Sequence, residues 1–238
     1  MKLRLDELLV QKKLAATRSQ AKLLIKEGKV LVNKQLATKP SQSCAPDTDI
    51  QLTTYEQYVS RGAFKLKGAL EKFQIDPKGL TVADVGASTG GFSDYLLQNG
   101  VEKIYCIDVG HSQLAPKIAA NPKVENLENT DIRKLESLPT KPDLAVVDLS
   151  FISLRLTLPH IKNLLQPNSP IIALFKPQFE AGPKLTPRDG VIKDPETLKL
   201  VRAHFKTWCE ENNFKVEKII PSPIKGKGGN TEYLALIY

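Results

Sequence analysis

Cysteine, histidine and tryptophan are scarce in this 238-residue chain, at three, three and one residues. Cys44, Cys106 and Cys209 lie far apart, and the histidines are equally isolated. No C-x-x-C or H-x-x-x-H spacing occurs, so neither a disulfide framework nor a metal site is expected. Thiols in that pattern fit a reducing, cytoplasmic compartment. Long apolar runs are missing too, and none approaches the roughly 20 residues of a spanning helix. The opening stretch MKLRLDELLV sets acids among its apolar residues and offers no cleavage site. Neither a signal peptide nor a membrane partner is expected.

What is present is enough apolar material, 41% of residues, for one large domain and a small one. Lys and Arg outnumber Asp and Glu by 34 to 26, and the pI is about 9.3. The excess is uneven: residues 1–59 hold 10 basic and 6 acidic residues, so a quarter of the chain carries half of the net +8. A basic balance suits a polyanionic partner.

Residues 1–52 are expected to form a compact α+β module. RLDELLVQKKL is amphipathic, with Leu5, Leu8 and Leu9 on one face. In TRSQAKLLIKEGKV, Thr17 suits an N-cap, Ala21, Leu24 and Ile25 make an inner stripe, and Gly28 stops the helix. Arg18, Lys22, Lys26 and Lys29 share the other side. A solvated helix face explains such a stripe as simply as a ligand does. VLV-NK-QLA reads as a hairpin turning at Asn33, and DTDIQL as a closing strand. Residues 53–59, within TTYEQYVS, form a joint whose tyrosines point to packing rather than a free linker.

From residue 60 to 238, strands and helices alternate. LTVADVG, EKIYCIDVG, PDLAVVDLSF and SPIIALFKP read as strands, with helical patterns over 112–119, 154–165 and 194–212. This predicts an α/β fold, a Rossmann-like, doubly wound and mainly parallel sheet. The terminal segments predict an antiparallel hairpin at the sheet edge.

ADVGASTGGFSDYL is a strand, a glycine-rich turn and a helix, a place where a ligand approaches backbone N–H groups. A dinucleotide site is one reading, but the G-x-G-x-x-G spacing is absent. The loop Asp84, Gly86, Ser88, Thr89, Gly90, Gly91 begins with an acid that would repel a pyrophosphate and suits an amino group. S-adenosylmethionine, a nucleoside without phosphates, is therefore favoured; a plain tight turn is the simplest alternative. Asp108, 22 residues after Gly86, suits the hydroxyls of a ribose. Asp131 in ENTDIRKL either takes an adenine amino group or is a solvated loop acid.

IIALFKPQFE puts Lys176 at the mouth of a buried strand, costly unless the ammonium is paired or tuned. Asp148 ends the apolar run LAVVD at the same sheet edge. Lys65, in SRGAFKL, and Glu232, in GNTEYL, begin a helix and the last strand. In a doubly wound fold all four can meet; a structural ion-pair cluster is the plain alternative.

RLDELL…TRSQAKLLIKEGKVLVNKQLATKPS…DTDI resembles the small RNA-binding domain first seen in ribosomal small-subunit protein four. YVSRGAFKL, DVGASTGGFSDYLL, IDVGHSQL, VVDLSFISL, LFKPQFE and GNTEYL resemble the TlyA family of ribosomal RNA 2′-O-methyltransferases, which pair that domain with an FtsJ-like class I methyltransferase domain. The resemblance covers essentially the whole chain. It implies ribosomal RNA within ribosomal subunits as substrate, cytidine as target, S-adenosylmethionine as cofactor, and a Lys-Asp-Lys-Glu tetrad at Lys65, Asp148, Lys176 and Glu232. Arg4, Arg18, Lys22, Lys26, Lys29, Lys34 and Arg61 become candidate RNA contacts. The joint departs from the family, with EQYV where a tryptophan-containing element is expected.

A ribose 2′-hydroxyl must lose its proton as it attacks, and a lysine serves as base only if its pKa falls from about 10.4 toward working pH. Lys176 is assigned that part, with Lys65 and Asp148 orienting and Glu232 holding the lysines. FEAGPKLTPRDGVIKDP reads as a loop closing over RNA or as a plain connection. Lys225 and Lys227 are near enough in sequence to Glu232 to bind a phosphate. Two other functions compete: RNA binding without catalysis, which an intact tetrad argues against, and membrane damage, because TlyA relatives often carry a haemolysin label. No basic, aromatic amphipathic helix supports the latter.

Overall fold

The computed structural model describes residues 2–26, 28–52, 58–182, 185–226 and 229–238, the side chain of Lys26 excepted. The expected joint at 53–59 falls largely outside them, as do Lys227 and the head group of Lys26. Two compact units result, Met1–Arg61 and Gly62–Tyr238.

The first unit runs β1 (Leu3–Arg4), α1 (Leu5–Gln11), α2 (Arg18–Lys26), β2 (Val30–Val32), β3 (Gln35–Leu36), β4 (Ser43–Cys44) and β5 (Ile50–Leu52). Leu5, Leu8 and Leu9 of α1 and Ala21 and Ile25 of α2 are buried in one core with Val30 and Val32. α2 starts where Thr17 Oγ1 accepts the Gln20 N–H at 3.1 Å. Strands β3, β2 and β5 form an antiparallel sheet in that order. The β2–β3 turn places Asn33 and Lys34 at φ 49° and 64°. Two left-handed residues in succession match the twist of a tight hairpin.

The second unit runs α3 (Gly62–Phe73), β6 (Thr81–Val85), α4 (Gly91–Gln98), β7 (Lys103–Ile107), α5 (Pro116–Ala119), β8 (Val124–Leu127), β9 (Leu144–Val147), α6 (Leu158–Leu164), β10 (Ile171–Phe175), α7 (Pro177–Glu180), α8 (Pro195–Glu211), β11 (Val216–Pro221) and β12 (Tyr233–Ile237). Seven strands pair in the order β11-β12-β10-β9-β6-β7-β8. Strands β6 to β10 are parallel where they pair, and β12 is antiparallel to both β10 and β11. The terminal hairpin thus sits at the edge with its second strand inserted inward. The middle strands are buried on both faces, which explains their unbroken apolar sequences. α8 adds Val201, Phe205 and Cys209 to the same core. It is started by Pro195 and by Asp194, whose carboxylate accepts from Thr197 N at 2.8 Å.

Two helices are shorter than their sequence patterns. The pattern over 112–119 yields only α5, because Ser112 takes a left-handed φ of 52° and Pro116 opens the helix instead. The pattern over 154–165 splits into a 3₁₀ turn at Leu154–Leu156 and α6, whose first turn holds Pro159.

Chain order reverses about β6, with β7 on one side and β9 on the other. Loops leaving the carboxyl ends of β6 and β9 therefore part to opposite faces and open a crevice, the usual ligand site in such sheets.

Candidate active site

Three of the candidate acids and bases lie at this edge because their strands end there. Asp108, Asp148 and Lys176 each follow the last residue of β7, β9 and β10. Glu232 precedes β12, which runs the opposite way, and the Phe175–Tyr233 pairing sets it beside Lys176 in register. Lys65 comes in from the first turn of α3.

These side chains form one alternating chain of charge. Lys176 Nζ is 2.6 Å from Asp148 Oδ1. The other oxygen, Asp148 Oδ2, is 3.9 Å from Lys65 Nζ, and that ammonium donates to Glu232 Oε2 at 2.7 Å. Lys176 and Glu232 are only 7% and 4% exposed. Burial at this depth is tolerable because each charge has an opposite partner. Ser150, which the sequence reading overlooked, accepts a hydrogen bond from Lys176 Nζ at 2.8 Å. Its signal was available: it stands two residues beyond Asp148, on the same loop.

Next to Lys176 the surface turns aromatic. The Phe179 ring lies 5.8 Å from Lys176 Nζ, and the Phe151 ring 5.3 Å from Phe179. Phe151 is 91% exposed and takes a left-handed φ of 63°, a conformation that costs roughly 1–3 kcal/mol for such a residue. Beneath it, buried Glu180 accepts from Ser153 Oγ at 2.6 Å and Leu154 N at 2.7 Å, which fixes the loop. Burial pushes the Glu180 carboxyl up, against the opposing pull of those hydrogen bonds and Arg155. Phe151, Phe179, Ile152, Ser153, Leu156 and Arg133 line a groove of about 430 Å³.

On the crevice side, the β6–α4 turn passes through Gly86 at φ +84° and Gly90 at φ +87°. A Cβ on Gly86 would stand 2.6 Å from the Asp148 carbonyl oxygen, so only glycine lets the two loops approach. Asp108 fastens the turn: Oδ2 accepts from Ser88 N at 2.8 Å and Oδ1 from Gly110 N at 2.7 Å. Each carboxylate oxygen keeps a lone pair for a further donor. Thr89 is exposed on the turn, and Gly91 opens α4.

Asp84 differs from the tip residues in lying within β6, 1% exposed. Oδ2 accepts from Ser93 Oγ at 2.6 Å, and that hydroxyl is also 3.0 Å from Cys106 Sγ. Oδ1 is buried with no hydrogen-bond partner among the described residues. Burial pushes the Asp84 carboxyl up to about 7; the Ser93 hydroxyl pulls it down, and the Asp148 and Asp108 charges push it up further. Burial also drives the Cys106 thiol upward, so it stays protonated. An orphaned buried acceptor beside a glycine cradle fits a ligand that brings its own donor.

Asp131 lies near this crevice in chain, since Thr130 N donates to the Asp108 carbonyl at 2.9 Å. Its carboxylate is forked by Arg133, at 2.6 Å from Nη2 and 3.0 Å from Nε. That fork holds the Asp131 pKa down at about 2. An adenine amino group there would share these oxygens with Arg133.

In the first unit, Arg4 and Arg18 converge on buried Asp6, at 3.0 and 3.3 Å, and Arg18 also meets Glu7 at 3.0 Å. The Arg4 fork, more than the burial that opposes it, holds the Asp6 carboxyl below its usual range. Both arginines thus brace the α1–α2 pair while their head groups remain about half exposed. Lys22 and Lys34 are exposed, Lys29 is half-buried, and Arg61 packs across Gly28. Lys225 is exposed in the loop before Glu232. Among the described residues, no helix is long and apolar enough to cross a membrane, and no group of three or more His, Cys, Asp or Glu residues is placed to hold a metal ion.

A doubly wound sheet with a glycine-rich turn after its first strand and an inserted antiparallel last strand defines the class I methyltransferases. A methyltransferase from Listeria monocytogenes shares that fold at a TM-score of 0.55 over 74% of this chain and 97% of its own, with 16% identity. The chain belongs to the FtsJ-like methyltransferases, whose family model matches residues 58–237, and it carries an S4 domain over residues 3–50. YqxC of Bacillus subtilis is 40% identical over 97% of this chain and 84% of its own length. The 16S/23S rRNA (cytidine-2′-O)-methyltransferase TlyA of Mycobacterium tuberculosis is 38% identical over 97% and 87%. A solved structure of a hemolysin-named protein from Streptococcus thermophilus aligns over 99% of this chain and 88% of that one, at 35% identity and a TM-score of 0.76.

Proposed function

We propose that this chain methylates the ribose 2′-oxygen of a cytidine in ribosomal RNA, within ribosomal subunits, using S-adenosylmethionine and the charged chain Lys176–Asp148–Lys65–Glu232. The observation that carries the reading is that continuous chain of opposite charges at the carboxyl edge, 2.6 Å at one end and 2.7 Å at the other, beside the glycine turn.

The crevice suits the cofactor. Asp84 Oδ1, buried and without a hydrogen-bond partner among the described residues, fits an ammonium group, and Asp108 fits ribose hydroxyls through its spare lone pairs. S-adenosylmethionine held there would supply the methyl on a sulfonium, a leaving group that keeps the electron pair of the carbon–sulfur bond when the methyl goes to oxygen. Lys176 Nζ, in its neutral amine form, takes the proton of the attacking 2′-hydroxyl and becomes the ammonium that pairs with Asp148. Asp148 and Ser150 hold Nζ in place, and Lys65, kept by Glu232, donates to the ribose oxygen. Phe151 offers an exposed ring against Phe179, the ring beside Lys176, on which an unstacked base can lie. In the first unit, Lys22, Lys26, Lys29, Lys34 and Arg61 bind phosphates, and the free edges of Arg4 and Arg18 join them.

The test is transfer of a labelled methyl from S-adenosylmethionine to unmodified 30S, 50S and 70S particles, with Lys176→Ala as control. Label on ribose 2′-oxygen that vanishes with Lys176→Ala is expected. No label on any particle, with cofactor binding intact, sinks the reading.

A further inference from the structure

Asn230 lies two residues before Glu232, is 6% exposed, and has both ends of its side chain engaged with another part of the chain. Oδ1 accepts the Ile192 N–H at 3.2 Å, and Nδ2 donates to the Gly190 carbonyl at 3.0 Å. One amide thus does for the 190–192 segment what a neighbouring strand would do. Ile192 is buried, so its N–H has no water to turn to.

The main chain of Asn230 works on the other side. Its carbonyl accepts from Gly226 N at 3.0 Å. Gly226 in turn backs the catalytic carboxylate: a Cβ there would overlap Glu232 Oε1 and Cδ. Ser222 N donates to the Glu232 carbonyl at 2.9 Å and closes the loop at its base.

We propose that Asn230 is a positioning residue, which clamps the 190–192 segment to the 222–232 loop and so holds Glu232 on Lys65. This rests on the proposed reaction for its catalytic consequence, but the clamp itself does not. Asparagine is the residue that fits. Aspartate keeps the acceptor for Ile192 but sets a second oxygen against the Gly190 carbonyl, and alanine leaves both backbone groups unpaired. Because the amide is buried and satisfied by backbone, its influence on the reaction runs through Glu232.

Hydrogen exchange on the full-length protein tests the clamp, with Asn230→Ala and Asn230→Asp. Exchange at Ile192 should speed up about tenfold or more in Asn230→Ala and by less in Asn230→Asp, which keeps the acceptor, with parallel loosening over 222–226 and 229–232. Methyl transfer should show kcat lowered at least tenfold, while affinity for S-adenosylmethionine, measured by calorimetry, stays within twofold. Added to Glu232→Gln, the Asn230→Ala change should cost no further activity, because both act on one contact. Native exchange in both variants overturns the clamp, whatever the enzyme does. Faster exchange with native kcat, or full additivity with Glu232→Gln, overturns the positioning role. Absence of rRNA methylation by the unaltered protein sinks the proposed function instead, and the exchange over 222–232 still decides whether Asn230 holds the loop of Glu232.

Discussion

A carboxylate sealed inside a strand is poorly stable as an anion, and Asp84 is such a group. Its pKa of about 7 in the fold exceeds the ordinary 3.8, so the folded protein binds the proton more tightly than the unfolded chain. The stability tied to this group is therefore complete below about pH 4 and is lost as pH rises toward 7 and beyond. Asp84→Asn should erase that dependence: native and variant melting temperatures should diverge between pH 4 and 8, the native falling. Parallel curves would refute the buried-anion account. Lys176→Arg tests the other end of the site. Arginine keeps the charge for Asp148 but does not give up its proton, so turnover at neutral pH should fall by roughly a hundredfold or more. Normal turnover would remove Lys176 as the base. Asp84 and Lys176 were legible because each sits in an apolar run where a charge stands out. Ser93 and Cys106 were not, because small residues acquire meaning only when a helix folds over the strand.

Among elements, the β6–α4 turn is the least replaceable. Gly86→Ala would force a side chain into a left-handed residue and onto the Asp148 carbonyl, costing roughly 1–3 kcal/mol and opening the crevice. Calorimetry should show cofactor affinity falling more than the shift in chemical-denaturation midpoint alone accounts for; retained affinity would mean that the close approach is unimportant. Strands β9 and β10 could be read directly, since burial on both faces makes them apolar throughout and a charged residue marks where each ends. α5 could not, because an apolar periodicity over 112–119 does not reveal that Ser112 turns left-handed. The place of β12 between β10 and β11 was likewise hidden: alternation identifies a hairpin but not which of its strands pairs inward.

For the whole molecule, the two units each own a core, and the net +8 is shared between their sequences. Deleting residues 1–59 should abolish methylation of ribosomal particles while leaving S-adenosylmethionine binding within about twofold. Full activity of the shortened chain would refute that division of labour. Binding of the full chain to RNA should weaken steeply with salt, with a slope of log affinity against log salt that loses about one unit for each phosphate-binding lysine removed. Lys22→Ala and Lys34→Ala are the cleanest probes, being exposed, whereas Arg18→Ala would also disturb Asp6. The pairing of Lys65 with Glu232 joins residues 167 positions apart, and β12, which brings Glu232 into place, follows every other element in the chain. During translation the growing protein can therefore assemble β6 to β10 and the glycine turn while Lys65 still waits for the carboxylate that lies 2.7 Å from it in the folded chain.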